Sequence, residues 1–264
     1  MLFPQKYGKI PFASYLFFFF RKERLLWGDL VASRTLNELY IYLDIAFLVI
    51  LGAFLWITKR RVAFWFGIAG GLLYFAVDYG IFYLALHTRI VTGANTELFL
   101  LWLSMSYGFT NFVWIWLMLN RDKHRVEWSV LIASGWICSA MMSNSFGGNF
   151  GEIQIARGTN SYHGIMALWL FVGFALLFIY NLRVKEKSKR VPILYLVVIG
   201  VSVQFAWEFI LLITGIRAVG IMPLIVNSLV ETTLGMPGIY LIHRLVTKRW
   251  NEDMSRKLPK PTEA

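Results

Sequence analysis

The sequence has little cysteine and little charge. Cys138 is the single cysteine among 264 residues, which excludes a disulfide framework and a thiolate metal cluster. Only 16% of the residues are charged, against about 25% in an ordinary soluble domain. By contrast, 58% are hydrophobic and the mean hydropathy is +0.58. A soluble domain could not bury that much apolar surface, so the composition excludes a cytosolic enzyme or a secreted domain and predicts a polytopic membrane protein.

Several common chemistries also lack their residues. The sequence contains no phosphate-binding loop of the P-loop type and no aspartate-rich pair for a magnesium diphosphate. The last apolar run has no interior lysine, which excludes a retinal Schiff base there. The histidines show no metal-ligand spacing; they are His87, His124, His163 and His243. We therefore predict a function that uses no metal and no cofactor.

Seven apolar runs of about 20 residues follow one another, and this length spans a bilayer as a helix. In lipid, the backbone polar groups need partners within their own segment, so the runs are predicted to be helices. We predict an all-α fold with seven transmembrane helices, within a domain of residues 37–246 in the cell membrane. The runs lie near 37–58, 62–86, 97–119, 128–146, 164–182, 192–214 and 220–246.

The basic residues predict an orientation. Seventeen of them lie in the connections after the first, third and fifth runs, at Arg244 near the end of the seventh run, and in the tail 247–264, whereas the other connections carry only Arg89, Arg157 and Arg217. By the positive-inside rule, the tail is cytoplasmic and the N-terminus is outside. The net charge of +11 is then explained by topology and by attraction to anionic lipid. No nucleic-acid partner is predicted.

The N-terminal residues 1–36 do not fit this rule, because they carry six basic residues. Their apolar stretch, residues 10–20, is too short to span a bilayer comfortably. We interpret residues 1–36 as an interfacial amphipathic segment. The alternative is that the stretch crosses the membrane and gives eight spans.

The second and sixth runs resemble each other. Residues 74–79 read YFAVDY and residues 204–209 read QFAWEF, and each stretch follows a basic cluster by roughly 15–20 residues. This similarity favours two parallel three-helix repeats joined by the fourth helix, a 3+1+3 arrangement.

Acidic residues inside the predicted spans are the main functional signal. A carboxylate at bilayer depth costs about 2.5–3.5 kcal/mol on insertion scales, so by default it marks a functional site. We predict Asp78, Glu208 and Glu231 as catalytic residues. The alternative is that they are structural, hydrogen-bonded between helices. Asp44 lies near the start of the first run, where snorkelling to the interface is the simpler interpretation.

Polar and aromatic residues near these acids are candidate substrate-binding residues. A polar side chain lies one helical turn from each acid, on the same helix face. Two aromatic residues directly adjoin an acid, and such rings can line a pocket for a flat or cationic group. The alternative for many aromatics is lipid contact. The substrate-binding candidates near the acids are Tyr74, Tyr79, Gln204, Trp207 and Asn227.

The stretch Phe205-Ala206-Trp207-Glu208 resembles the acidic motif of the integral-membrane terpene cyclases of meroterpenoid pathways, which are small seven-helix proteins. In that family the motif lies on the second helix, where this chain has Phe75-Ala76-Val77-Asp78 and lacks the tryptophan. The resemblance implies an enzyme that protonates the epoxide or alkene of a folded prenyl chain. It implies Asp78 as the protonating acid and Glu208 or Glu231 as its partner or base.

Two other functions remain open at this stage. The 3+1+3 arrangement with an outside N-terminus also resembles the SWEET sugar transporters. That resemblance implies that Asn111 and Asn227 face a shared midplane site, with Asp78 and Glu208 as proton-coupling acids. The third possibility is a non-catalytic lipid-binding or assembly subunit. The expected partner is a membrane lipid or a lipophilic small molecule.

Overall fold

A computed structural model of the chain describes residues 34–157, 163–218 and 220–257. The predicted interfacial segment lies outside the described residues except for 34–36, and the stretch 10–20 lies wholly outside them. The structural statements below concern the described residues only.

Seven helices are long and apolar enough to cross a membrane, which confirms the prediction of a mostly helical, seven-span chain. The helices are α1 (Glu38–Ile57), α2 (Arg61–Phe75, continued by Ala76–Ala85), α3 (Thr96–Leu119), α4 (Arg125–Phe146), α5 (His163–Arg183), α6 (Ile193–Ile213) and α7 (Ile221–Lys257). One short 3-10 turn, Gly147–Asn149, follows α4, and another, Lys187–Lys189, precedes α6.

Local sequence signals determine where two of these helices begin. The Asn37 side chain accepts a hydrogen bond from the Tyr40 backbone N–H at the start of α1. Asn95 accepts one from the Leu98 N–H at the start of α3. These side-chain caps satisfy backbone donors that a helix leaves without partners at its first turn.

The helices differ widely in burial. In the most apolar stretch of α3, 83% of the residues are buried, against 33% in α7 and none in α5. Helix α3 is therefore the central helix of the bundle, and α5 is peripheral. In a 3+1+3 arrangement α3 and α7 would occupy equivalent positions, but the buried fractions of these two helices differ. The burial of the helices therefore does not show the predicted repeat.

Glycines allow the closest helix contacts. An added Cβ on Gly108 of α3 would lie 2.7 Å from the Cα of Gly71 on α2, and one on Gly200 of α6 would lie 2.8 Å from the Cα of Thr233 on α7. The pairs α2–α3 and α6–α7 are therefore packed backbone to backbone at these points, as small residues permit between membrane helices.

A three-stranded antiparallel sheet lies at one end of the bundle. It consists of β1 (Arg34–Asn37), β2 (Arg89–Thr92) and β3 (Glu152–Arg157), with β3 in the centre. The backbone of Arg217, between α6 and α7, forms an isolated bridge to Arg34 of β1. The prediction of an all-α fold omitted this sheet, because its strands are short and their partners are distant in sequence. We call this end of the molecule the sheet end.

The C-terminal part of the second span is a π-helix, Ala76–Ala85. At its end, the Leu86 N–H donates to the Ile81 carbonyl over five residues, at 2.9 Å. π-Helical turns are rare and are often found at functional sites. Asp78 lies in this segment and is buried.

Polar contacts also join the helix connections at the opposite end, which we call the basic end. Arg60 donates two hydrogen bonds to Asp122, at 2.7 and 2.8 Å. These bonds hold the pKa of Asp122 below its ordinary value, against the opposing effect of partial burial. The ion pair links the α1–α2 connection to the α3–α4 connection.

Candidate functional site

The register of the sheet places four arginines on one face. Arg89 pairs with Arg157, and Arg34 pairs with both Ile155 and Arg217. Paired residues share a face of an antiparallel sheet, and so do residues two apart on a strand, such as Ile155 and Arg157. Arg34 and Arg89 are each only 3% exposed, so this face is buried against the helices. We call Arg34, Arg89, Arg157 and Arg217 the arginine roof.

Asp78 receives hydrogen bonds from two roof residues. Arg89 donates to its Oδ1 through Nη2, at 2.7 Å, and through Nε, at 3.2 Å. Arg157 donates to the same oxygen at 3.4 Å. All three N–H groups thus converge on one carboxylate oxygen.

Glu208 has a larger set of partners, which contact both of its oxygens. Arg217 binds it through two hydrogen bonds, at 2.5 Å to Oε2 and 3.0 Å to Oε1. Asn227 of α7 donates to Oε1 at 3.1 Å and Gln204 donates at 3.4 Å. The Nη2 of Arg34 lies 3.9 Å from the same oxygen. Charge-assisted, two-point contacts of this kind are strong and directional.

Glu231 of α7 joins the same cluster through Gln204. The Nε2 atom of Gln204 donates to Glu231 at 3.1 Å, and its Oε1 accepts a bond from the hydroxyl of Thr232. Gln204 therefore connects Glu208 on its own helix with two residues of α7.

Arg157 electrostatically links the two halves of the cluster. Burial opposes its charge, but the carboxylates of Asp78, Glu231 and Glu208 outweigh burial and raise its pKa. Burial, and then repulsion from Arg157, lowers the pKa of Arg34 and of Arg89 to about 10. All of these arginines remain cationic at neutral pH. Four guanidinium groups thus face three carboxylates.

Aromatic rings adjoin the charged cluster. The ring centroids of Tyr74 and Tyr107 are 4.4 Å apart, those of Tyr107 and Trp207 are 5.7 Å apart, and those of Trp207 and Trp136 are 4.7 Å apart. The guanidinium carbon of Arg34 lies 5.9 Å from the Trp207 ring centroid. We call Tyr74, Tyr107, Trp136 and Trp207 the aromatic centre, since they contact one another in sequence from α2 to α4.

Several buried polar atoms around this centre have no hydrogen-bond partner among the described residues. Such atoms are uncommon in folded proteins, and water or a ligand usually satisfies them. They include Nε of Arg34 and Arg157, Nε1 of Trp136 and Trp207, and Oδ1 of Asn227.

The structure groups most of the predicted site residues and separates others. Gln204 and Asn227 hydrogen-bond to the acids, and Trp207 and Tyr74 belong to the aromatic centre. Tyr79 instead stacks between Phe75 and Tyr83, and Asn111 is fully buried within α3.

Asp44 does not snorkel, so that interpretation is wrong. Its side chain is fully buried and accepts a hydrogen bond from the indole N–H of Trp102 at 2.9 Å. An interfacial residue would keep its carboxylate in contact with water.

The four roof arginines were missed as site residues, because the sequence analysis used them only as topology markers. One signal was present: Arg89 follows Asp78 by 11 residues and Arg217 follows Glu208 by 9. Within residues 34–157, 163–218 and 220–257, no group of three or more His, Cys, Asp or Glu side chains could hold a metal ion.

Comparisons with known proteins find no counterpart for this site. No protein-family model, no curated protein and no solved structure matches the chain.

Proposed function

We propose that the protein is an integral membrane enzyme that cyclises or isomerises an isoprenoid or another lipid, using the buried carboxyl groups of Asp78, Glu208 and Glu231. The observation that carries this proposal is that three acids from three different helices lie under the arginine roof and beside the aromatic centre. Glu208 and Glu231 share the Gln204 amide as a hydrogen-bond donor, and Asp78 and Glu208 both bind roof arginines.

The chemistry requires a proton donor, a counter-charge for a carbocation, and a base. Protonation of an alkene or epoxide creates the cation, ring closure moves it, and loss of a proton to a carboxylate ends the reaction without a change in mass. Electron-rich ring faces, such as those of Tyr107 and Trp207, stabilise cationic intermediates. A water-excluded site protects them from hydrolysis.

The contacts favour different roles for the three acids. Asp78 and Glu208 are in direct contact with guanidinium groups, so they suit the roles of base and counter-charge. We assign proton delivery to Glu231, because it accepts a hydrogen bond from the neutral amide of Gln204, which lies one helical turn before Trp207 of the aromatic centre on α6.

The proposal includes an orientation and a repeat. The protein lies in the plasma membrane. Its basic end faces the cytoplasm and its sheet end faces outside, as the positive-inside rule requires. Two parallel three-helix repeats are supported by the acid–arginine pairs of the second and sixth spans and by the glycine contacts of α2–α3 and α6–α7.

The experiment is a product analysis with membranes that contain the protein. Prenyl lipids and their epoxides are incubated with these membranes and followed by liquid chromatography and mass spectrometry. The expected product has the mass of its substrate and a shifted retention time. Its formation falls by about 10²–10⁴-fold in Glu231→Gln, as for loss of a general acid.

The matched control is Glu97→Gln, which makes the same change at an exposed position in the first turn of α3. It should retain full turnover. Equal activity of Glu231→Gln and the wild type would remove Glu231 from the reaction, and the absence of any isomer with the whole panel would overturn the proposed enzyme.

One observation favours a transporter as the second candidate function. The Asn111 side chain is fully buried in the central helix, and neither amide atom has a hydrogen-bond partner among the described residues. Such a group could bind a small polar solute. Uptake into proteoliposomes under a pH gradient, abolished in Asn111→Leu, would support transport; no uptake of sugars or amino acids would reject it.

A further inference from the structure

We infer that the arginine roof binds an oxyanion, a carboxylate or phosphate, and that this group is the charged end of an amphipathic ligand whose apolar part lies against the aromatic centre. The inference rests on the proposed function, because it names the chemical class of substrate for the same site. It adds a requirement that the acid chemistry does not impose, namely a negative charge on the ligand.

The charge balance of the cluster is the first argument. Among the described residues, four guanidinium groups of the roof face the carboxyl groups of Asp78, Glu208 and Glu231. The roof thus carries at least one positive charge in excess, and two when Glu231 holds the proton that it delivers. An uncompensated charge in a buried site is unfavourable. One bound anion would neutralise it.

Unused hydrogen-bond donors are the second argument. The side chain of Arg34 is 97% buried, since 3% of it is exposed, yet its Nε–H has no partner among the described residues. The Nε–H of Arg157 is in the same state. The Nη2 atom of Arg34 lies near Glu208 and that of Arg157 near Asp78, so each arginine has a donor, Nε–H, that these carboxylates do not use.

The geometry of the sheet is the third argument. Arg34 pairs with the residue two positions before Arg157 on β3, and such diagonal neighbours on one face of a sheet lie about 7–8 Å apart. The Nε–H groups of Arg34 and Arg157 can therefore donate to two oxygens of one anion, whereas the three nitrogens of Arg89 already donate to Asp78 and Thr88.

The nature of the ligand's remainder follows from what adjoins the roof. The ring of Trp207 lies beside Arg34, and Trp136 packs on Trp207. The indole N–H groups of both tryptophans lack partners among the described residues. A ligand with a charged end and an apolar body fits this sequence of surfaces better than a free inorganic anion does.

The experiment measures binding, independently of turnover. The protein is purified in a neutral detergent, and its apparent Tm is recorded with dodecyl phosphate, dodecanoate, dodecanol or inorganic phosphate. The two amphipathic anions are expected to raise the Tm in a concentration-dependent way, since a ligand that binds the folded state stabilises it. Dodecanol is expected to have no such effect. Inorganic phosphate is expected to act only at much higher concentration.

Variants locate the binding site. Arg157→Gln should weaken dodecyl phosphate binding by about tenfold or more, the effect of losing one charged hydrogen-bond donor. Arg125→Gln, at an exposed position of the basic end, should bind like the wild type. Because Arg157→Gln also alters the Asp78 ion pair, Trp207→Phe provides a second test: it keeps an aromatic ring at this position and removes the indole N–H together with the five-membered ring.

The outcomes separate this inference from the proposed enzyme. An equal response to dodecanol and dodecyl phosphate, or no loss of binding in Arg157→Gln and in Trp207→Phe, overturns the anion site. A response to inorganic phosphate equal to that of dodecyl phosphate overturns the amphipathic ligand. Anion binding without turnover of any lipid supports the anion site and overturns the proposed enzyme. Turnover of neutral lipids without a Tm response to the anions supports the enzyme and overturns the anion site.

Discussion

Asp78 and Glu208 occupy matching places in two similar stretches of sequence, but their contacts differ. Glu208 is fully buried, and both of its oxygens accept hydrogen bonds from Arg217, with Asn227 and Gln204 as further donors. Asp78 is 5% exposed, and its three hydrogen bonds all reach Oδ1.

The helices that hold the two acids differ as well. Glu208 lies in a regular α-helix, α6, whose Gly200 packs directly on α7. Asp78 lies in a π-helix, and an added Cβ on the nearby Gly80 would meet no atom within 4 Å. Glu208 is thus held in a tightly packed, regular helix, and Asp78 in a more loosely packed, irregular one.

This difference indicates how the two acids divide structure and chemistry. A carboxylate whose lone pairs are all used by fixed donors stabilises its surroundings and has little capacity to bind a further group. A carboxylate bound through one oxygen retains an acceptor. We therefore expect Glu208 to act chiefly as a structural anchor and Asp78 to contribute more to the reaction.

The largest expected effect is on stability in Glu208→Gln. Removal of one partner of a buried ion pair leaves an uncompensated charge and costs about 3–5 kcal/mol. Both variants lose a buried negative charge, but the amide oxygen of Asp78→Asn can keep the place of Oδ1, which accepts all three hydrogen bonds. In Glu208→Gln an amide nitrogen must replace one of two oxygens that both accept from Arg217. The expected loss in Asp78→Asn is therefore smaller, about 1–3 kcal/mol. Thermal unfolding of the purified proteins in detergent measures both losses.

Turnover should show the opposite order among variants that remain folded. At a temperature well below the unfolding midpoints of both variants, Asp78→Asn is expected to lose more turnover than Glu208→Gln, relative to the stability that each has lost. An equal loss of stability in the two variants would show that the difference in their contacts has no energetic consequence.

A middle-sized effect is expected from paired glycine substitutions. In Gly200→Ala the new Cβ would lie 2.8 Å from the Thr233 Cα and 2.9 Å from the Met236 Cγ, so α6 and α7 must separate, at about 1–3 kcal/mol. In Gly80→Ala the added methyl group has free space, and reduced backbone freedom should stabilise the fold by about 0.5–1 kcal/mol. Opposite shifts in apparent Tm are the expected result.

The paired design includes its own control, since both variants add one methyl group to a helical glycine. If Gly80→Ala destabilised the protein as much as Gly200→Ala, the π-helix would have a requirement for glycine that its open surroundings do not explain.

The seven spans could be predicted because hydropathy and length are local properties of the chain. Each predicted span corresponds to a helix whose ends differ by a few residues, except that α7 continues to Lys257, 11 residues beyond the predicted end of the seventh span. The acids were also recognisable, because a charge within an apolar run is costly and therefore unusual.

The sheet and the arginine roof could not be predicted in the same way. Strand β1 has four residues and pairs with residues more than 100 positions later in the chain. Whether Arg34, Arg89 and Arg157 share a face depends on that register, which has no signal in the local sequence. The π-helix around Asp78 leaves no visible pattern either, because its apolar residues also suit an α-helix.

The smallest expected effect on stability concerns the Arg60–Asp122 ion pair at the basic end. Its side chains are 17% and 15% exposed, so it serves as a partly exposed reference for the two buried acids. Near the surface such a pair contributes about 0.5–1 kcal/mol. Because hydrogen bonds from Arg60 lower the pKa of folded Asp122 below 3.8, this stabilisation is fully present above pH 3.8 and is lost as the pH falls through the folded value. The gap in apparent Tm between the wild type and Asp122→Asn should therefore be constant from neutral pH to about pH 5 and close at lower pH. A gap that persisted in acid would mean that the two-point geometry, and not the charge, stabilises this end of the bundle.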